Sequence, residues 1–331
     1  MLNTLDYNKI RTPKTPLSEE ELAYCCNDVL IVEQYINEQI ELYEGDINKI
    51  PLTNTGRVRK LCRNNLLYER GRNGRKYVNK SFKDRIKYCK LGLEDYLMLK
   101  RVLGGGFNVC SDLYKGLKLE NVKSWDEVSA YMSIMLSERL PMGAAKEVVI
   151  ENDKQFYDIL ENKNMLSIFD IRFNNLKIKD DKYIDIMTAN NCIVKGKREI
   201  TDRKITYAEE LTTSLTSIDF KSISKFYNWD SIEIGKMYYY TVNYLPKEFI
   251  NIILELYKNK TELKGIDEYK YLYDNIKSMF NAVFGMTITD IAPDKVIYDN
   301  GKWETVEASL EEIKDDIEKF NNSFNRFVYY P

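Results

Sequence analysis

Two short stretches decide how this chain reads: Asp126-Glu127-Val128-Ser129-Ala130-Tyr131-Met132-Ser133 and, much further along, Lys277-Ser278-Met279-Phe280-Asn281-Ala282-Val283-Phe284-Gly285. The first places a carboxylate where a predicted strand over 118–125 gives way to a predicted helix over 129–137. An Asp at that junction can cap the helix, or it can project as an oxygen ligand into the cleft that the strand floors. In the second stretch Lys277, Asn281 and Gly285 recur every four residues, along one stripe of a helix. Lysine can meet phosphate as a point charge, and asparagine offers both a donor and an acceptor. Gly285 suits a helix C-terminus at positive φ. Lys-Asn-Gly is also common helix-ending chemistry, so these residues by themselves leave both readings open.

Composition narrows the rest. At 331 residues, 44% hydrophobic and 30% charged, the chain can bury roughly three quarters of its unfolded surface, as one large or a few modest domains. No apolar stretch approaches the ~20 residues of a bilayer span, and the N-terminus lacks a signal-peptide pattern. The cysteines (25, 26, 62, 89, 110 and 192) have no metal-site spacing and read as reduced structural thiols. There is no histidine. Histidine-activated nucleophiles, histidine proton relays and mixed Cys/His zinc sites are thereby excluded. Chemistry must rest on carboxylates, Lys and Arg, Tyr, or a metal held by oxygen.

The net charge of -2 conceals an asymmetry: thirteen basic residues lie between Arg57 and Lys90, opposed only by Glu69 and Asp84. Arg57, Arg59, Lys60 and Arg63 lead the run, and Tyr68, Tyr77, Phe82 and Tyr88 interleave with it. A charge run can be a solvated face; this local excess with aromatic residues fits a nucleic-acid backbone track better.

Along the chain, Ser18-Glu19-Glu20-Glu21 is a capping box that opens a helix running to about Tyr43. Residues 44–80 read as loop-rich and basic, and a short helix is expected over 91–100. Gly104-Gly105-Gly106 then breaks the chain. Strands are expected over 164–177 and 231–243, with short helices near 153–162 and 217–227. Two consecutive helices, 247–260 and 267–284, should turn at Gly265, and an acidic helix is expected over 304–320.

In this order the two opening stretches resemble the palm motif D-x-x-S-x-Y-x-S and the fingers motif K-x-x-x-N-x-x-[YF]-G of family B DNA polymerases, of the organellar and protein-primed phage type. The resemblance implies that Asp126 and the carbonyl of Glu127 bind catalytic Mg²⁺ (or Mn²⁺). It implies that Tyr131 lies beneath the nucleotide sugar, and that Lys277, Asn281 and Gly285 face the triphosphate with Lys260 on the preceding helix, a role for which Lys258 and Lys264 compete. Ala130 and Met132 depart from the usual Leu and Pro. Gly104-Gly105-Gly106-Phe107 is similar to the Y-x-G-G-[FR] motif that contacts DNA, with Leu103 in place of its Tyr; a simple interdomain turn is the alternative. Tyr24 and Asp28 resemble the third exonuclease motif, Y-x-x-x-D, although the sequence given has no room before them for the first two.

The expected fold class is α+β: a partial polymerase palm of antiparallel sheet with helices, two-helix fingers and an inserted mixed α/β region. Residues 1–48 would be the remnant of a 3′–5′ exonuclease domain, and 49–143 a basic linker with the first part of the palm. Residues 144–245 would be an insertion, 246–287 the fingers, and 288–331 a second insertion. No Y-x-D-T-D string follows, so the expectation is a polymerase fragment, inactive alone, in a host-cell cytoplasm. The implied partners are primer-template DNA, a dNTP, a companion polypeptide with the rest of palm and thumb, and a terminal-protein primer, with no membrane. The alternative is a non-catalytic DNA-binding remnant or accessory subunit.

Replacing Arg57, Arg59, Lys60 and Arg63 with Ala should weaken DNA binding alike for all sequences and flatten its salt dependence. Fluorescence anisotropy at two salt concentrations measures this; unchanged affinity would make the run a solvated surface.

Overall fold

The computed structural model describes residues 9–12, 14–42, 44–51, 53–66, 68–70, 76–80, 90–104, 114, 116–180, 186–189, 192–201, 203–299 and 301–322. The chain divides into two compact units, Met1–Arg57 and Val58–Pro331.

The first unit is built on α1 (Glu19–Leu42). Its capping box forms as the sequence requires: the Glu21 N–H donates to Ser18 Oγ at 3.2 Å, and the Ser18 N–H donates to the Glu21 carboxylate at 2.8 Å. Lys9 and Arg11 pair with the same carboxylate at 2.8 and 2.7 Å. The hydrogen bond from Lys9, then that from the Ser18 backbone, hold the Glu21 carboxyl down at about 2. After the turn at Glu44-Gly45, both at positive φ, α2 (Asn54–Leu66) begins, its first turn closed by the Gly56 N–H donating to Thr53 Oγ1 at 3.0 Å.

That helix replaces much of the loop expected over 44–80. Val58, Cys62 and Leu66 recur every four residues and are all buried. The arginines, lysine and asparagines between them hide the stripe in a linear reading. Burial pushes the Cys62 thiol up to about 12, which marks a structural thiol. A small hairpin follows, β1 (Tyr68–Arg70) against β2 (Lys76–Val78). Next come α3 (Leu93–Val102) and α4 (Ala130–Ser137).

Between those helices the strand expected over 118–125 does not form. Val122 and Trp125 stand 71% and 89% exposed, and no strand pairs with the segment among the described residues. Strand propensity without a ladder partner does not hold a strand in water.

The central sheet is antiparallel throughout. It contains β3 (Leu140–Pro141), β4 (Lys146–Val148), β5 (Met165–Ile178), β6 (Cys192–Thr201), β7 (Lys204–Thr216), β8 (Tyr227–Asn228) and β9 (Ser231–Asn243). Its order is β3-β9-β5-β7-β6, with β4 also on β9 and β8 on β5. The strands over 164–177 and 231–243 were legible; the β6–β7 hairpin was not, because β6 is an exposed edge strand whose side chains alternate only weakly. One face carries Phe169, Ile171 and Phe173 against α5 (Asp153–Glu161) and α6 (Ser217–Phe226), whose Phe156 and Phe220 meet Phe169 edge-on at 5.1 and 5.9 Å. On the other face α3 packs Met98 and Leu99 against Ile168, Tyr238 and Tyr240.

From β9 the chain enters a helical hairpin, α7 (Lys247–Glu262) and α8 (Lys270–Thr287), turning at Gly265 with φ +83° as expected. Gly285 differs from its expected place: it lies inside α8, which runs on to Thr287, and has no positive φ. The acidic helix starts later than expected. Residues 295–306 form a hairpin, β10 (Lys295–Asp299) with β11 (Lys302–Val306), and α9 spans Leu310–Asn322. Ser309 and Glu312 make the capping box that fixes its start.

The core that positions the two motif stretches is helical. Val58, Cys62 and Leu66 of α2 and Met132 and Met135 of α4 meet Phe249, Ile252, Ile253 and Leu256 of α7 and Phe280, Val283 and Met286 of α8. Phe280 is 1% exposed at its centre. Phe280→Ala should therefore destabilise the chain by about 3–5 kcal/mol, measured by urea unfolding.

Candidate functional site

The helical core brings α4 and the α7–α8 hairpin together, and with them the two motif stretches. The Tyr131 ring stacks on Phe284 with centroids 4.1 Å apart and planes 14° from parallel. Lys260 Nζ, on α7, donates to Ser129 Oγ at 3.0 Å, across 131 positions of sequence. The same ammonium sits 4.5 Å from the Phe280 ring centre and 5.1 Å from that of Tyr257. No carboxylate pairs with Lys260 among the described residues. Desolvation by its apolar surroundings, then the charges of Lys264 and Lys277, lower its pKa from the ordinary lysine value. This is a concentration of positive charge that an anion would relieve.

Lys277 and Asn281 are exposed on the solvent side of α8, one turn apart, because Phe280 and Val283 take the buried side. Lys277 Nζ lies 5.9 Å from the Tyr273 ring centre. Space is open over Gly285, where an added Cβ would meet nothing within 4 Å. Beneath the Tyr131–Phe284 stack lies a cavity of about 210 Å³ lined by residues such as Ile134, Met135, Pro141, Met142 and Leu245.

Asp126 and Glu127 are exposed on the irregular segment before α4, so Asp126 is not held at a strand end. Its carboxylate has no partner among the described residues. Nor do three or more metal-ligating side chains meet anywhere among them. A divalent cation wants about six oxygens, so Asp126 and the Glu127 carbonyl alone do not make a two-ion cage.

The remaining expected residues are spread out. In the first unit, Tyr24 and Asp28 lie one turn apart on α1, half-buried and exposed respectively. Arg57 donates to Gln39 Oε1 at 2.6 Å and to the Tyr35 hydroxyl, so it serves the first unit's own packing. In the second unit Arg59 and Lys60 are half-buried on α2 and Arg63 is exposed; Arg59 Nε is buried without a hydrogen-bond partner. Gly105, Gly106 and Phe107 lie outside the described residues. Ser129 and Phe284 were present in the motifs but passed over as sites. Their spacing marked them, and only their contacts show what they touch.

The model of DNA polymerase type B, organellar and viral, matches residues 2–326. The chain belongs to that family. It is similar in fold to phi29 DNA polymerase complexed with primer-template DNA and incoming nucleotide substrates, at 17% identity and a TM-score of 0.58, over 97% of this chain and 51% of that one. The phi29 polymerase complexed with primer-template DNA in a post-translocation binary complex matches at 15% and 0.58, over 96% and 51%. The same enzyme complexed with single-stranded DNA matches at 18% and 0.59, over 92% and 47%. This type B polymerase chain thus spans about half the length of the solved structures it matches. No curated protein matches it. Polymerases of the family generally use divalent metals. No helix among the described residues is long and apolar enough to cross a membrane.

The ring stack should be measurable. A double-mutant cycle on Tyr131→Leu and Phe284→Leu, followed by chemical denaturation, should return a coupling of about 0.5–1.5 kcal/mol.

Proposed function

We propose that this chain is the nucleotide- and template-binding part of a DNA-directed DNA polymerase. The observation that carries the proposal is the meeting of Lys260, Ser129, Tyr131 and Phe284 at one place, in a chain of the type B family. An incoming deoxynucleoside triphosphate would place its phosphates toward Lys260, Lys277 and Asn281. Its base and sugar would take the room beside Tyr131, whose ring would obstruct a ribose 2′-hydroxyl. Asp126, with the Glu127 carbonyl, would be one arm of a site for Mg²⁺ or Mn²⁺; the described residues do not supply the other arm, and no catalytic step is derived through the ions.

Primer-template DNA would be held through Arg59, Lys60 and Arg63 on α2 and through Gly105, Gly106 and Phe107. Tyr24 and Asp28 would be the trace of an exonuclease domain over residues 1–48. The palm and linker would occupy 49–143, the fingers 246–287, and two insertions 144–245 and 288–331. The cytoplasm of a host cell is the setting this reading implies. The rest of palm and thumb would act together with these residues, whether in the same protein or on a companion polypeptide, and a terminal protein could serve as primer.

Two measurements test this. Calorimetric titration of the chain with dATP should show binding, weakened roughly tenfold by Lys277→Ala, as expected for one lost charge-assisted contact. DNA-templated nucleotide addition should appear when a polypeptide carrying the Y-x-D-T-D strand and a thumb is added, and Asp126→Asn should abolish it. Tyr131→Val should admit ribonucleotides. A reconstituted enzyme indifferent to Asp126→Asn would sink the reading.

A further inference from the structure

Ser129 occupies the N-cap position of α4 without capping it. Its backbone is left-handed, at φ 57° and ψ 44°, and its side chain makes no cap hydrogen bond. Serine is among the preferred N-cap residues because, from an extended backbone, its hydroxyl accepts an N–H of the first turn. A non-glycine residue in the left-handed region is also strained. Two ordinary sources of stability are therefore given up at one residue. In their place the Oγ receives the Lys260 ammonium at 3.0 Å.

Lys260 has few alternatives. Its other recorded contacts are the faces of Phe280 and Tyr257, and no carboxylate pairs with it among the described residues. Removing the hydroxyl would leave a partly desolvated cation without its oxygen acceptor. The bond also joins the two halves of the site: Ser129 stands two residues before Tyr131 on the α4 side, and Lys260 lies on the first helix of the α7–α8 hairpin.

We propose that Ser129 is a positioning residue for nucleotide binding: its hydroxyl stands in for a phosphate oxygen and parks Lys260 against α4 until a triphosphate takes the lysine over. This rests on the nucleotide-binding reading of the site given above. Phosphate and hydroxyl compete for one ammonium, so the bond is a fixed cost on triphosphate binding and a tether on the hairpin. Because a net hydrogen bond contributes about 0.5–1.5 kcal/mol, losing it should tighten triphosphate binding by about two- to tenfold.

The test uses dATP titrations of the full chain, of two variants of Ser129, and of one of them in a Lys260→Met background. Ser129→Gly removes the hydroxyl and accepts the left-handed backbone without strain, so it folds even where Ser129→Ala does not. Ser129→Asn tolerates the same backbone and restores an oxygen acceptor. Ser129→Gly should tighten dATP binding two- to tenfold, Ser129→Asn should bind as the parent does, and in a Lys260→Met background Ser129→Gly should change nothing. A merely structural serine would alter stability in both backgrounds without that dependence on Lys260.

Independently of nucleotide, acetylation of Lys260 followed by mass spectrometry should quicken in Ser129→Gly and return to the parental rate in Ser129→Asn. Unchanged or weaker dATP binding in Ser129→Gly, or equal tightening with Lys260→Met, overturns the proposal while leaving the nucleotide reading intact. Failure of the parent chain to bind dATP overturns both, whatever the labelling shows.

Discussion

Everything at the site depends on one apolar contact: the burial of Phe280, Val283 and Met286 on one helix against Phe249, Ile253 and Leu256 on another, closed over by Met132, Met135 and the Val58-Cys62-Leu66 stripe. No polar interaction among the described residues could substitute for it. The Lys260–Ser129 bond and the Tyr131–Phe284 stack are each worth on the order of 1 kcal/mol, too little to bring together segments so distant in sequence. The hydrophobic core does the joining, and the weak contacts then fix the orientation. This division suits a site that must accommodate a ligand, since the weak contacts can exchange while the core stays intact.

The same packing accounts for the electrostatics. Phe280, Val283 and Met286 recur every three residues and share the buried face of their helix, while Lys277 and Asn281, four apart, share an exposed one. Lys260 is less free. Its ammonium lies over the Phe280 and Tyr257 rings, and the loss of water there, with Lys264 and Lys277 near, makes its positive charge harder to hold. Three lysines with little opposing charge form an unsatisfied demand for an anion. The left-handed Ser129 is the protein's own partial answer to it.

A second anchor ties this region to the rest of its unit. The Tyr96 hydroxyl on α3 donates to Asp290 at 2.5 Å, and Lys100 reaches Asp290 and Asp294 at 3.4 and 3.3 Å. Those carboxylates lie just beyond the end of α8. The helix that precedes the glycine run therefore also holds the root of the hairpin, and Tyr96 packs with Ala292, Ile313 and Ile317 to keep it there.

The sequence by itself determined the helices with strong local signals: the Ser18–Glu21 box, the Gly265 turn, and the fourfold spacing of Lys277, Asn281 and Gly285. It also carried the family through the order of its motifs, because that order is read along the chain and needs no tertiary contact. It misled where local preference needs a distant partner. Residues 118–125 have strand composition and no strand to pair with; 54–66 have a buried stripe diluted by arginine; Gly285 resembles a helix stop and lies inside a helix that tertiary packing extends. Only the tertiary structure could show that Ser129 receives Lys260 and that Tyr131 lies on Phe284. Such contacts are decided by how two helical surfaces fit, and that fit is a property of the folded core and of no single stretch of chain.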